Sequence, residues 1–136
     1  MKQGIGLAAA LLTLSTGIQA ADLTVQLTGI KSADGTVLVQ LFTDPAQFPD
    51  GTADQEIRLP ASEDGVAATF TGLAPGTYAV GAYHDANENG KLDANFMGMP
   101  TEDVGNSGEV ALAKPGFEKS SFELGEQDHT ISFVLR

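Results

Sequence analysis

Apolar and polar residues alternate in short runs along most of this chain, a pattern typical of half-buried β-strands. The first run alternates Leu23, Val25 and Leu27 with polar neighbours, and later runs are separated by Gly, Pro, Asp and Asn. The pattern predicts seven strands, near residues 23–27, 37–42, 56–59, 66–70, 77–84, 122–124 and 131–135. Because a tight turn at 33–35 separates the first two strands, we expect them to form a β-hairpin.

Residues 85–116 interrupt this pattern. Gly and Asn recur there without a period, so the segment is interpreted as one long loop, with a helical turn at 110–113. Such loops are uncommon in compact domains unless they carry a function. Seven short strands and one long loop predict an all-β fold, a seven-stranded immunoglobulin-like β-sandwich.

Residues 1–20 have the three-part layout of a secretory signal peptide. Lys2 supplies a positive charge, residues 5–14 are apolar, and a polar stretch of small residues ends at Ala20. The apolar run is too short to span a bilayer. We therefore expect removal of 1–20 and a single mature domain over 21–136, periplasmic or secreted, without stable membrane insertion.

Charge and cysteine content narrow the classes of function. The chain has 18 acidic and 7 basic residues, a net charge of −11, so we expect no binding to nucleic acid. The absence of Cys excludes disulfides, zinc–thiolate sites, iron–sulfur clusters and a cysteine nucleophile. Stability must therefore come from the core or from a bound metal, and the acidic balance is compatible with cation binding.

The main chemical motif begins the long loop. With Asp85 as position 1, oxygen-bearing side chains stand at positions 1, 3, 5 and 9, and a Gly stands at position 6. This spacing matches the first three-quarters of an EF-hand calcium loop, in which Gly permits a sharp turn and position 7 contributes its backbone carbonyl. The predicted calcium ligands are Asp85, Asn87, Asn89, Lys91 through its carbonyl, and Asp93.

Position 12 departs from the EF-hand pattern. Phe96 stands where the EF-hand has a bidentate Glu, so another carboxylate must complete the site. Glu102 and Asp103 are the candidates, and we predict Glu102 as the ligand. Asn at two positions lowers the charge of the site, which predicts weak binding with Kd of about 10⁻⁴ M. The alternative is an ordinary solvated turn, because Asp, Asn and Gly dominate turns for conformational reasons.

A second acidic cluster occurs earlier in the chain. Asp44, Asp50 and Asp54 stand in or beside a loop over 45–54 that is rich in Pro, Asp and Gly. We expect these carboxylates to be solvated. Phe48 is the large apolar residue of this loop, and we expect it to pack onto the core.

Two central stretches, Leu73–Val80 and His84–Asp93, resemble the DUF2141 family of uncharacterised exported bacterial proteins, and residues 95–102 and 117–124 fit the same pattern. The Leu-Ala-Pro-Gly-Thr-Tyr turn is also similar to that of transthyretin-like and carboxypeptidase-regulatory-like β-sandwiches. The resemblance implies a periplasmic or secreted sandwich, and it implies no particular activity.

Three kinds of function remain open. The first is a non-enzymatic, calcium-binding sandwich that acts as an envelope binding or accessory module, with an unknown envelope protein or ligand as partner. The second is a small metal-dependent hydrolase that uses the same carboxylates, with His84 as a proton shuttle. The third is a metal-free structural or adhesive domain. We favour the first, because no nucleophile motif accompanies His84.

Overall fold

The computed structural model describes residues 20–93, 102–108 and 115–136. Apart from Ala20, the predicted signal peptide lies outside the described residues, as does the predicted helical turn at 110–113. Within the described ranges, no helix is long and apolar enough to cross a membrane.

The described residues form eight strands and one short helix, so the fold is all-β. In chain order the strands are β1 (Ala21–Thr28), β2 (Thr36–Phe42), β3 (Gln55–Pro60), β4 (Val66–Leu73), β5 (Gly76–Asp85), β6 (Val104–Asn106), β7 (Phe122–Leu124) and β8 (His129–Val134). The helix α1 (Phe117–Ser120) lies between β6 and β7.

These strands make two sheets. The three-stranded sheet has the order β4–β1–β8, in which β4 runs antiparallel and β8 parallel to β1. The five-stranded sheet has the order β3–β2–β5, and two short strands then pair with the far side of β5: β6 with residues 81–83 and β7 with residues 76–78. The predicted all-β, two-sheet architecture is therefore confirmed at this level.

Two predictions about strands are wrong. β1 and β2 do not form a hairpin, because β1 pairs with β4 and β8 while β2 pairs with β3 and β5. β1 buries one face and β2 buries residues on both, and alternation does not show whether two strands are neighbours in one sheet or lie in opposite sheets. The described residues also contain eight strands rather than seven. The additional strand, β6, lies inside the predicted long loop and is too short to show alternation.

The main core consists of the apolar side chains that alternation assigns to one face of each long strand. Its fully buried members include Leu23, Val25, Leu27, Val37, Val39 and Val80. Burying each such side chain stabilises the fold by about 1.5–3 kcal/mol. This core fixes the position of β5, which carries the candidate site at its end.

A second, smaller cluster lies on the opposite face of the five-stranded sheet. Phe42 and Ala79 are fully buried there, and Phe48 packs edge-to-face on Phe42 with ring centroids 5.2 Å apart. Phe117 of α1 contacts the other side of Phe48 at 6.0 Å. Phe48 is thus buried, as expected, and it anchors the loop between β2 and β3.

Candidate metal centre

The candidate site begins where β5 leaves the sheet. Tyr78, Val80 and Ala82 of β5 face the main core, and alternation places Asp85 on the opposite face. Asp85 pairs with Thr36 of β2 and is fully buried. An ionised carboxylate is costly to bury unless donors surround it. The position of Asp85 therefore requires hydrogen-bond donors from the chain that follows.

Those donors are backbone groups of the next turn. The N–H of Asn89 donates to Asp85 Oδ1 at 3.2 Å, and the N–H of Gly90 donates to Oδ2 at 2.7 Å. The chain makes this turn with left-handed backbone at Glu88 (φ 54°) and Gly90 (φ 78°). Glycine adopts this conformation without steric cost. The loop consequently curls around the Asp85 carboxylate.

Asp93 closes the loop from its other end. Its Oδ1 accepts a hydrogen bond from Asn89 Nδ2 at 2.6 Å, and its Oδ2 accepts one from Asn87 Nδ2 at 2.8 Å. These two hydrogen bonds hold the pKa of the Asp93 carboxyl below its ordinary value, and the bond from Asn89 has the larger effect. Asp93 is therefore held as an anion beside two amide groups.

The amide oxygens of the two Asn residues point back into the loop. Asn87 Oδ1 accepts the backbone N–H of Asn89 at 3.2 Å, and Asn89 Oδ1 accepts the backbone N–H of Lys91 at 3.1 Å. Lys91 thus joins the network through its main chain. Together with the bonds of Asp85 and Asp93, these contacts connect Asp85, Asn87, Asn89 and Asp93, and they reach Lys91 at its N–H, not at the carbonyl that was predicted as a ligand.

Glu102 reaches the same set from the next described segment. Its Oε1 accepts the backbone N–H of Asp93 at 3.0 Å. Burial raises the pKa of Glu102, and the negative charges of Asp93 and Asp85 add to this despite the hydrogen bond from Asp93. Asp103, the other sequence candidate, instead pairs with Lys31 Nζ at 3.1 Å. Of the two, Glu102 is the carboxylate that contacts the loop.

The oxygen atoms of this set are carboxylate, amide and backbone oxygens, the donor types that hard cations bind. Among the described residues, no group of three or more His, Cys, Asp and Glu side chains is arranged to hold a metal. A cation in the loop would therefore depend on Asn and backbone oxygens as well as carboxylates. Such an oxygen-only, flexible set suits calcium, whereas zinc prefers nitrogen and sulfur ligands.

His84 lies beside the loop and is engaged elsewhere. Its ring is buried, and its Nε2 lies 2.6 Å from the backbone carbonyl oxygen of Asp34. Its backbone N–H donates to the carbonyl of Asp103 at 3.0 Å. His84 therefore ties the 33–35 turn to the start of the loop, and its ring sits on the strand face opposite to Asp85.

Two residues that support the loop were missed by sequence reasoning. A Cβ on Gly35 would lie 2.2 Å from the carbonyl oxygen of Asp85, so only glycine permits this close approach of the two turns. The Tyr83 hydroxyl donates to the carbonyl of Gly90 at 3.4 Å. The Asp-Gly pair at 34–35 indicated a turn, but nothing local showed which part of the chain it packs against.

Comparison with known proteins identifies the family. The family model described as "Uncharacterized protein conserved in bacteria (DUF2141)" matches residues 25–132, which include the whole candidate loop and Glu102. The chain belongs to the DUF2141 family. This confirms the resemblance of the central stretches. No curated protein and no solved structure matches this DUF2141 chain, so its function has to be argued from the site.

Proposed function

We propose that this DUF2141 protein is an exported, non-enzymatic β-sandwich that binds calcium in the loop after β5 and serves as an envelope binding or accessory module. We further propose that its two sheets form an immunoglobulin-like or transthyretin-like sandwich. The ligands in this proposal are Asp85, Asn87, Asn89, Lys91 through its carbonyl, Asp93 and Glu102. Export is supported by the signal-peptide pattern of residues 1–20.

The observation that carries the calcium proposal is one hydrogen-bonded set that links Asp85, Asp93 and Glu102 with two Asn side chains, although these three carboxylates are not arranged around a metal. Each oxygen of Asp85 accepts one backbone hydrogen bond, and each oxygen of Asp93 accepts one from an Asn amide, with Glu102 also in contact with Asp93. A carboxylate oxygen has two lone pairs, so each retains capacity for a cation. Burial is the main cause of the raised pKa of Glu102, and the negative charges of Asp93 and Asp85 add to it; a bound cation would offset that repulsion.

Calcium is favoured over magnesium by the form of the site. The donors lie on a curled loop and on Glu102, nine residues after Asp93, and they are carboxylate, amide and backbone oxygens. Calcium accepts six to eight oxygens in flexible arrangements, whereas magnesium requires a near-ideal octahedron and keeps its water. Binding would replace the Asn–Asp93 hydrogen bonds, and this exchange is consistent with a Kd of about 10⁻⁴ M.

A metal-free structural or adhesive domain is the competing function, and one observation favours it. The carboxylates of Asp85 and Asp93 already have hydrogen-bond donors, and among the described residues no buried side-chain polar atom lacks a partner. The network could therefore be complete as a polar turn. The hydrolase alternative has no comparable support, because the His84 ring is engaged by the Asp34 carbonyl.

Thermal unfolding distinguishes these functions. The protein is expressed from its full gene in a bacterial host, isolated from the periplasm, stripped with chelator, and unfolded with calcium, with magnesium or with neither. A ligand that binds only the native state adds about 2.7 kcal/mol at a hundredfold excess over Kd, which here means about 10 mM calcium. We expect calcium to raise the Tm and magnesium to raise it less. An unchanged Tm with both ions would favour the metal-free domain.

Mass spectrometry of the protein recovered from the periplasmic and the cytoplasmic fractions of that host tests the export proposal. We expect the intact mass to correspond to residues 21–136, because cleavage after Ala20 removes the predicted signal peptide. Recovery of the full chain from the cytoplasm, with Met1 or Lys2 at its N-terminus, would contradict export.

A further inference from the structure

Asn89 and Gly90 form the single Asn–Gly pair of the sequence, and both residues are exposed in loop 85–93, which follows β5. In such a pair the backbone nitrogen of the glycine can attack Cγ of the asparagine side chain and close a ring, and glycine has no side chain that hinders this closure. Apart from its chain neighbours, no atom of the described residues would lie within 4 Å of a Cβ placed on Gly90. Asn89 therefore has the chemistry and the open surroundings of a deamidation site.

Deamidation of Asn89 is an intramolecular reaction that consumes only water. The nitrogen of Gly90 gives up its proton to the solvent and forms a bond to Cγ of Asn89. The Cγ–Nδ2 bond breaks, and Nδ2 takes up a proton from the solvent and leaves as ammonia. Water then opens the resulting cyclic imide at either carbonyl carbon. The product is an aspartate or an isoaspartate, in which the main chain runs through the former side-chain carbon.

The folded loop holds each of the reacting groups in a hydrogen bond. The N–H of Gly90 donates to Asp85 Oδ2 at 2.7 Å, and Asn89 Nδ2 donates to Asp93 Oδ1 at 2.6 Å. Asn89 Oδ1 accepts the N–H of Lys91 at 3.1 Å. Ring closure must break the first two bonds, because the nitrogen of Gly90 loses the proton that Asp85 accepts and Nδ2 leaves.

Asp85 opposes the reaction in a second way. Its carboxylate is fully buried, and a negative charge beside the nitrogen of Gly90 disfavours the loss of a proton from that nitrogen. The same carboxylate has two backbone donors, and removing one of them from a buried anion is costly. We propose that Asn89 is a deamidation site and that Asp85 protects it by holding the N–H of Gly90.

Reaction at Asn89 then requires the loop to open, so its rate follows the fraction of molecules that are open. The loop is held by hydrogen bonds around Asp85 and Asp93, and such exposed segments open more readily than core strands. Either product removes the Nδ2 donor that Asp93 accepts, and isoaspartate also lengthens the main chain. Opening therefore exposes the loop to a permanent change, and the protective role of Asp85 applies with or without a bound metal.

Incubation of the exported protein in mildly alkaline buffer with chelator tests the inference without involving calcium. Peptide mapping by mass spectrometry follows deamidation at position 89 in the native protein and in the protein unfolded by guanidinium chloride. We expect the native protein to react at least about tenfold more slowly, since a hydrogen bond to a charged group has to open first. Asn89→Gln should abolish the reaction at this position in both states, because glutamine closes a larger ring and does so far more slowly.

Two alanine variants compare Asp85 with a carboxylate of the second acidic cluster. Asp85→Ala should bring the native rate close to that of the unfolded protein. Asp54→Ala removes a carboxylate that is bonded to Thr43 and should leave the rate at Asn89 unchanged. Circular dichroism shows which variants fold, and Asp85→Asn, which keeps the size of the side chain, replaces Asp85→Ala if the latter does not.

Equal rates in the native and the unfolded wild-type protein would overturn the inference, and so would a folded Asp85→Ala variant that reacts as slowly as the wild type. Absence of reaction at position 89 in the unfolded chain would overturn the site itself. Calcium added to the native protein should slow the reaction further, an expectation that rests on the proposed function. Protection in chelator with no further effect of calcium would uphold the role of Asp85 and count against the calcium site.

Discussion

Two acidic loops leave the five-stranded sheet, and the protein uses their carboxylates differently. In loop 43–54, the carboxylates bond to nearby groups of the same loop. Asp44 Oδ1 accepts the N–H of Ala46 at 2.9 Å, and Asp54 Oδ2 accepts the N–H and the hydroxyl of Thr43 at 2.6 and 2.9 Å. In loop 85–93, Asp85 and Asp93 share partners, and a carboxylate from another segment joins them.

The two loops are also held in place by different forces. Loop 43–54 is anchored by the burial of Phe48 against Phe42 and Phe117. Loop 85–93 has no such apolar anchor among its described contacts and is held by hydrogen bonds around the buried Asp85. The comparison teaches that acidic residues in a loop can act separately, as Asp44 and Asp54 do, or in one connected network, as Asp85 and Asp93 do.

The largest expected effect is a loss of stability, and it tests whether the two loops are held in place independently. Phe48→Ala removes a buried ring from two edge-to-face contacts, which should cost about 3 kcal/mol of unfolding free energy. Denaturant unfolding measures this loss. The calcium-induced rise in Tm should persist in the variant, because loop 85–93 does not depend on Phe48. Loss of the calcium response together with stability would show that the two loops are coupled.

The second prediction compares the same substitution in both loops. Asp85→Asn leaves a buried backbone N–H facing an amide nitrogen, which should cost about 2 kcal/mol and abolish the calcium response. Asp54→Asn changes an exposed carboxylate, where water can substitute, and should cost less than about 1 kcal/mol with the calcium response intact. Thermal unfolding with and without calcium measures both. Calcium protection of Asp85→Asn equal to that of the wild type would refute the site.

The third prediction adds a negative charge to the proposed calcium site. Asn87→Asp replaces the amide that donates to Asp93 Oδ2 with a carboxylate. Without calcium, repulsion should lower stability by about 1 kcal/mol, and with calcium the added ligand charge should tighten binding about tenfold. Calcium titration followed by fluorescence or calorimetry gives the Kd. An unchanged or weaker Kd would place Asn87 outside the coordination sphere.

The smallest expected effect is on stability, and its direction differs between the calcium-free and the calcium-bound protein. Glu102→Gln keeps an oxygen for the N–H of Asp93 and removes the repulsion with Asp93 and Asp85. Without calcium the variant should be equally stable or more stable by less than about 0.5 kcal/mol. With calcium its Tm shift should be smaller than that of the wild type. A full calcium shift in Glu102→Gln would remove Glu102 from the ligand set.

The sequence predicted those features that depend on local spacing. The apolar patterns located seven of the strands: β1 and β4 bury one face, and β2 and β5 bury residues on both faces. They did not show that β1 and β2 belong to different sheets, since that depends on contacts between distant segments. In the candidate site, Glu102 contacts the backbone N–H of Asp93, whereas Asp103 pairs with Lys31, which is distant in the sequence. The assignment of Asp85, Asp93 and Glu102 as ligands stays a prediction.

Two other residues that hold loop 85–93 in place could not be recognised from the sequence around them. Gly35 contacts the backbone at Asp85 from a turn that precedes β2, and the Tyr83 hydroxyl reaches back to Gly90. Both contacts exist because β2 and β5 are neighbours in the sheet. Sequence spacing within one loop carries no information about which strands become neighbours, so these residues could be found only from the fold.

Calcium titration of the ¹⁵N-labelled exported protein, followed through its backbone amide resonances, tests the central claim most directly. The account predicts saturable shifts concentrated at Asn89, Gly90, Lys91 and Asp93, with magnesium producing smaller ones. The amides of loop 43–54 should stay in place and serve as an internal control. Weak, non-saturating shifts spread equally over both acidic loops would contradict a calcium site and leave loop 85–93 as a polar turn.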